Sequence, residues 1–240
     1  MKATESDQIL RVQKLYKDFS RLSLAYPQDR IAALAPLQEG LLQSSSLWGG
    51  FGIADIRKGQ MLCRTLLWCR ALDMRSLHPI DLASKGIHSH ATSWYWLACS
   101  GGVTYIDLSA SEYEWADLGT PRSKAEHSCD LHPQLDIALT ATVHTCQLNA
   151  TSDVYVRIIM DAPDNEFARH GSVAETTCKI VARENSDRPV PARRHYVLIV
   201  RPGRSTAIDS ADDRETCERV GAGFVPGHYL SKILGRFEIW

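Results

Sequence analysis

The sequence predicts an α+β protein in which a helical unit of about three helices precedes a mainly antiparallel β unit. Apolar residues recur every three or four positions over residues 5–72, which is the period of an amphipathic helix. Beyond residue 92 apolar residues alternate with smaller or polar ones, as in half-buried strands. The intervening segments carry turn-forming residues and are too short for helical crossovers, so antiparallel pairing is expected.

The change of period divides the chain into three regions. Residues 1–72 are expected to form the helical unit, residues 73–91 a connector, and residues 92–240 the β unit. At 240 residues the chain is long enough for one large domain or two smaller ones. The two units are therefore either separate domains or parts of one continuous domain.

Three helices are expected in the first region. The first covers residues 5–24, the second begins near residues 28–30 with a kink at Pro36, and the third covers residues 55–72. Their apolar positions are Ile9, Val12, Leu15, Tyr16, Phe19 and Leu22; Ile31, Leu34, Leu37, Leu41 and Leu42; and Ile56, Met61, Leu62, Leu66, Leu67 and Cys69.

Short strands are expected at residues 103–107, 135–143, 154–160, 173–182, 196–201 and 219–225. Gly221 and Gly223 lie in the last of these, with no third glycine and no following helix to form a nucleotide-binding loop. Glycines inside a strand instead predict a bulge or a close approach between backbones.

Charge and cysteine content exclude several classes of function. The 28 acidic and 27 basic residues nearly cancel, so no nucleic-acid partner is expected. The longest apolar runs are far shorter than the roughly 20 residues that cross a bilayer, so no membrane contact is expected. The seven scattered cysteines and the polar start, which lacks a secretory signal, indicate free thiols and a cytoplasmic protein.

No set of residues specifies a reaction, so no catalytic residue, cofactor or metal is predicted. His127, Cys129 and His132, followed by His144 and Cys146, include the ligand types of a zinc site. Their irregular spacing favours surface histidines and incidental cysteines. A small zinc-dependent enzyme or hydrolase using the His127 to Cys146 cluster is the alternative.

Other candidate residues also favour structural roles. Ser100 lacks the preceding glycine that a nucleophile elbow requires, and Arg30 is expected to form an ion pair. Trp94 and Trp96 would lie on the same side of an extended strand, where filling a core is favoured over stacking on a ligand. A β module that binds a small ligand at these two tryptophans is a further alternative.

Several separate segments, taken in order, resemble the region that follows the HET domain in fungal heterokaryon incompatibility proteins. They are similar to that family's Tyr-Ser helix end, its Asp-(Lys/Arg)-Leu-x-Ala-Leu segment, its Gly-Leu-Trp and Leu-Leu-Trp elements, its Ser-Trp-Ser-Trp segment and its Arg-(Val/Ile)-Gly strand. Here these are residues 16–20, 29–34, 47–49, 66–68, 93–96 with 102–105, and 217–223.

The family's defining N-terminal domain, with its Trp-Ile-Asp-x-x-Cys-Ile-Asn-Gln segment, does not occur in this sequence. In the family that domain is associated with vegetative incompatibility and programmed cell death. The resemblance therefore implies a non-enzymatic accessory or interaction region with a protein partner, such as a HET-bearing chain, and it transfers no catalytic residue. We expect either a truncated paralogue or an incomplete gene model whose true start precedes Met1.

Overall fold

The computed structural model describes residues 5–45, 48–50, 53–55, 60–81, 93–108, 113–116, 139–148, 155–162, 174–202 and 216–239. The helices are α1 (Glu5–Ser20), α2 (Arg30–Ser45) and α3 (Gln60–Leu66). The first seven strands are short: β1 (Trp48–Gly50), β2 (Ile53–Asp55), β3 (Trp68–Arg70), β4 (His78–Pro79), β5 (Cys99–Ser100), β6 (Val103–Tyr105) and β7 (Tyr113–Trp115). The others are β8 (Leu139–Leu148), β9 (Arg157–Met160), β10 (Ala174–Glu184), β11 (Arg194–Pro202), β12 (Thr216–Pro226) and β13 (Leu230–Ile239).

Helix α1 buries Ile9, Val12, Tyr16 and Phe19 of its predicted apolar stripe, but the prediction for Leu22 was wrong, since this side chain lies beyond the helix and is 56% exposed. It ends at Ser20, short of the predicted residue 24. The Ser20 hydroxyl donates to the Lys17 carbonyl at 2.7 Å and accepts a hydrogen bond from the Val103 amide at 2.8 Å. The end of the helix is thereby attached to β6.

Helix α2 begins at Arg30 after a 3-10 turn (Pro27–Asp29) and contains Pro36, as expected. The prediction that Leu37 points inward was wrong, since this side chain is 51% exposed. The buried stripe consists of Leu34, Gln38 and Leu41, and Leu37 lies beside that stripe on the helix.

The third helix is shorter than predicted, because α3 ends at Leu66 and Trp68–Arg70 forms β3. Strand β3 pairs antiparallel with β6, with Trp68 opposite Tyr105. Leu67, Trp68 and Cys69 are all fully buried. The prediction was wrong because a short, continuous apolar run has no periodic pattern, and without one the sequence cannot distinguish a helix from a strand.

Five strands of the β unit close into a ring. Antiparallel pairs join β8 to β10, β10 to β11, β11 to β12, and β13 back to β8. A short parallel pair between β12 and β13 completes the ring. Strand β9 pairs with residues 221–224 of β12, beyond the short stretch that pairs with β13, and β7 pairs with β10. The α+β class and the mainly antiparallel β unit are therefore confirmed.

The two faces of this barrel bury different sets of side chains. On β11, Tyr196, Leu198 and Val200 pack in the cluster that contains the helices, whereas Val197 and Ile199 pack in a second cluster formed by barrel strands. Because successive side chains on a strand point to opposite faces, the second cluster is the barrel interior. The first cluster contains residues of both the helical and the β units, so the helices pack on the outside of the barrel.

Several strands differ from the predicted pattern. Strands β1 to β5, β7 and β13 were not predicted, and β4, which pairs with β5, lies within the predicted connector. In β13, register shifts next to Ile233 and a positive φ of 148° at Gly235 interrupt the alternation that marks a strand. Residues 82–91 of the connector and 135–138 of a predicted strand lie outside the described residues.

The close approach predicted for the strand glycines is confirmed at Gly223. A Cβ atom there would lie against the Arg157 carbonyl oxygen and 2.8 Å from the Ile158 Cα. We expect Gly223→Ala to push β9 away from β12 and to lower the free energy of unfolding by about 2 to 3 kcal/mol. Urea denaturation followed by circular dichroism would measure this loss.

Gly40→Ala is the matched control, because a Cβ atom at Gly40 on α2 meets nothing within 4 Å. Alanine favours helix over glycine, so this variant should be as stable as the wild type or more stable by up to about 1 kcal/mol. Equal stability of Gly223→Ala and the wild type would show that β9 can move without loss.

Candidate functional site

Arg30, at the start of α2, is one of two buried arginines among the residues that the structure describes. Only 4% of the residue is exposed, and burial lowers the pKa of its guanidinium group. Its Nη2 donates to the Ser20 carbonyl at 2.6 Å, and its Cζ lies 5.4 Å from the Trp96 ring centroid and 5.9 Å from that of Phe19. Arg30 therefore joins α1, α2 and the tryptophan segment through a carbonyl and two rings, in place of the expected ion pair.

Arg219, on β12, is the second buried arginine, with a side chain that is 0% exposed. Its Nη1 donates to Asp161 Oδ2 at 2.5 Å and its Nη2 to the Trp68 carbonyl at 2.6 Å. The guanidinium carbon also lies 3.3 Å from the centroid of the Trp68 ring. These contacts connect β12 with β3 and with the residue that follows β9.

Hydrogen bonds also attach the backbone of Arg219 and the Trp68 ring to residues 93 and 94. The Arg219 amide donates to Ser93 Oγ at 2.6 Å, and the Trp68 indole donates to the Trp94 carbonyl at 2.8 Å. Burial raises the pKa of Asp161, while the charge and hydrogen bond of Arg219 oppose that rise. The carboxylate and guanidinium thus depend on each other for solvation.

Two thiols lie near these arginines. Burial raises the pKa of Cys69 to about 11, and that of Cys99 to about 12 although both Arg30 and Arg219 favour its thiolate. Both groups are therefore protonated thiols at neutral pH, a form that is neither a good nucleophile nor a metal ligand. Both are free thiols, as the sequence analysis predicted, and their position indicates a structural role.

The residues of the suggested zinc cluster are only partly described. His127, Cys129 and His132 lie outside the described residues, whereas His144 and Cys146 lie on β8. The Cys146 side chain points into the barrel and forms a hydrogen bond with Cys178. Among the described residues no group of three metal-ligating side chains occurs.

The two central tryptophans fill the core, as favoured from the sequence. Trp94 is 1% exposed and Trp96 is 0% exposed, so neither ring is open to a ligand. The expected extended strand was wrong, because Trp94 lies in a turn and Trp96 begins a 3-10 helix. Ser100, the candidate nucleophile, donates to the His78 carbonyl at 3.3 Å.

A buried histidine on a barrel strand was not anticipated from the sequence. His195 on β11 is 3% exposed. Its Nδ1 bonds to the Arg193 carbonyl at 3.0 Å, and its Nε2 accepts a hydrogen bond from Arg183 Nε at 3.0 Å. This arrangement requires a neutral imidazole, and burial lowers the pKa of His195. Burial, with nearby Lys179 and Arg183, also lowers the pKa of His144.

A cleft of about 450 Å³ opens between α1, β6 and β9. Its buried surface is apolar and its rim is charged. The buried lining residues are Cys69, Ala71, Ile106 and Ile159. The charged lining residues are Lys17, Arg21, Asp73, Asp107 and Arg157. Tyr105 also lines the cleft, and its buried hydroxyl has no hydrogen-bond partner among the described residues.

Comparisons of the chain with models of protein families, with curated proteins and with solved structures find no match. In the described part of the chain, no helix combines the length and apolar character that a membrane span requires. The candidate function therefore rests on the geometry of the buried arginines, the barrel and the cleft.

Arg219→Met should destabilise the fold strongly, because it leaves the Asp161 carboxylate buried without its partner. We expect a loss of about 3 to 5 kcal/mol in the free energy of unfolding, measured by urea denaturation. Arg201→Gln is the control, since Arg201 pairs with Glu218 at the surface of the neighbouring strands and should contribute less than about 1 kcal/mol. Similar losses in the two variants would contradict the role assigned to Arg219.

The neutral His195 makes stability depend on pH. A folded-state pKa below the unfolded value near 6.5 means that the stabilisation is complete above about pH 6.5 and is lost as the pH falls below that value and through the folded-state pKa. We expect a lower urea midpoint at pH 5.5 than at pH 7.5, and a smaller difference between the two in His195→Gln. His144, whose pKa is also lowered, should contribute to the difference that remains.

His228→Gln is the control for this titration. His228 is exposed and its Nδ1 bonds to the Pro191 carbonyl at 3.0 Å. This variant should keep the full pH dependence of the wild type. A pH dependence that survives unchanged in His195→Gln would rule out the proposed titration of that residue.

Proposed function

We propose that this chain is a non-enzymatic interaction module that resembles the accessory region of fungal heterokaryon incompatibility proteins and binds or restrains a HET-bearing chain. The observation that carries the proposal is the convergence of the segments behind that resemblance. Arg30 contacts Ser20 and Trp96, while Arg219 contacts Trp68 and Ser93. Residues that are distant in the sequence thus belong to one buried network. A shared network is a physical reason for these segments to occur together in the sequences of one family.

The chemistry of this network supports a scaffold. Its charged groups bind one another, backbone carbonyls and aromatic rings, and burial keeps the neighbouring thiols protonated. A network of this kind fixes the helices on the barrel and presents a defined outer surface. The role of such a surface in vegetative incompatibility and programmed cell death is part of the proposal.

The helical unit exposes apolar side chains that a partner would cover. Leu22 is 56% exposed and Tyr26 is 62% exposed, four residues apart in the segment that joins α1 to α2. Leu10 on α1 and Leu37 on α2 are also more than half exposed. Large exposed apolar side chains of this kind are a common feature of protein interfaces.

A cytoplasmic location belongs to the same proposal. Six cysteines in the described part of the chain are free, and two of them, Cys146 and Cys178, share a hydrogen bond without forming a disulfide. Adjacent reduced thiols are typical of a reducing compartment. The zinc-enzyme alternative gains no support from the described residues, because Cys146 is directed into the barrel towards Cys178.

The proposal predicts a measurable complex with a HET-bearing protein. Purified chain should bind such a partner in surface plasmon resonance, and its expression in a fungus should alter the incompatibility reaction. The double variant Leu22→Ser, Tyr26→Ser should bind at least about tenfold more weakly, a difference of about 1.4 kcal/mol. Val190→Ser is the control, because Val190 is also 53% exposed but lies in the segment between β10 and β11.

Two results would contradict this function. One is the absence of both binding to HET-bearing proteins and any effect on incompatibility. The other is turnover of a substrate that disappears when one polar side chain is replaced in a variant that remains folded.

A further inference from the structure

We propose that the cleft between α1, β6 and β9 binds a small monocarboxylate with an apolar body, and that Lys17 and Arg157 hold its carboxylate. The site goes beyond the interaction role proposed above and does not depend on it. Its volume of about 450 Å³ lies within the range of pockets that hold small molecules.

The apolar part of the cleft determines the body of the ligand. Ala71 is 1% exposed, and Ile106 and Ile159 are each 6% exposed, so these side chains are packed in place before a ligand arrives. A hydrocarbon chain laid against them would gain the free energy of removing apolar surface from water. A fully polar ligand would leave this part of the cleft without a complementary contact.

The charges at the rim determine the head of the ligand. Arg21 donates from Nη1 and Nη2 to the two carboxylate oxygens of Asp73, at 2.7 and 2.9 Å, so these two charges neutralise each other. Lys17, Arg157 and Asp107 remain, and none of them forms an ion pair with another residue in the described part of the chain. The remaining charge is therefore +1, which matches a monoanion better than a doubly charged phosphate.

The Cys69 thiol does not alter this balance. It lines the buried part of the cleft, and burial raises its pKa to about 11, so it carries no charge at neutral pH. A thiolate there would have neutralised the excess positive charge. With the thiol uncharged, the guanidinium of Arg157 can donate two parallel hydrogen bonds to the carboxylate of a ligand.

The strand geometry also suggests the length of the ligand. Arg157 and Ile159 are two residues apart on β9, so their side chains leave the same face of the strand about 7 Å apart. A carboxylate bound at Arg157 would then place a short aliphatic chain across Ile159. Hexanoate has this length, whereas acetate would reach only the charged rim.

The test uses the purified full chain with hexanoate, hexanamide and inorganic phosphate as probes in isothermal titration calorimetry. Hexanoate should bind saturably, and the neutral hexanamide and phosphate should bind at least about tenfold more weakly. Arg157→Gln and Lys17→Gln should each weaken hexanoate binding at least about fivefold while retaining the wild-type unfolding midpoint. Lys14→Gln is the control, because Lys14 pairs with Asp18 on α1 outside the cleft and should leave binding unchanged.

Three outcomes would overturn the proposal. The absence of saturable hexanoate binding would show that the cleft is not a carboxylate site. Equal binding of hexanamide would show that Lys17 and Arg157 do not recognise the carboxylate. Hexanoate binding that persists in both Arg157→Gln and Lys17→Gln would place it elsewhere on the chain. Loss of HET-partner binding in the Leu22 and Tyr26 variant bears on the interaction role alone, so the two proposals can fail independently.

Discussion

A guanidinium group that leaves water must find other groups to solvate its charge, and two such groups hold this fold together. Arg219 finds Asp161, the Trp68 carbonyl and the face of the Trp68 ring, while Arg30 finds the Ser20 carbonyl and the ring of Trp96. Removing a charge from water costs several kcal/mol, and incomplete compensation would leave most of that cost in place. The contacts of Arg30 and Arg219 therefore attach α1, α2, the tryptophan segment, β3 and the end of β9 to one another and to β12.

The barrel supplies the surface on which that arrangement is built. Its strands are buried on both faces, since one face fills the interior and the other supports the helices. Gly223 permits β9 to lie against β12, and this position brings Asp161, just beyond β9, to Arg219. The ion pair, the pairing of β9 with β12 and the cleft beside Arg157 thus all depend on the close approach of β9 to β12 at Gly223.

The sequence predicted the class of the fold because its signal is periodic and extends over long segments. The stripe containing Val12 and Tyr16 is buried, and the strands predicted at residues 173–182 and 196–201 appear as β10 and β11. The end of the third helix was wrong because Leu66 to Trp68 is apolar without a period. Strand β13 was missed because its bulges near Gly235 interrupt the alternation. Ring closure depends on pairings between segments far apart in the chain, which no local pattern contains.

The candidate site was less accessible to prediction for the same reason. The tryptophans were correctly placed in the core, but the partners of Arg219 come from β3, from the end of β9 and from the Ser93 turn.

The Cys146 and Cys178 thiols lie next to each other inside the barrel, where they are shielded from solvent. A thiol-modifying reagent can reach them only during transient opening of the barrel, so their rate of labelling would report how often the barrel opens.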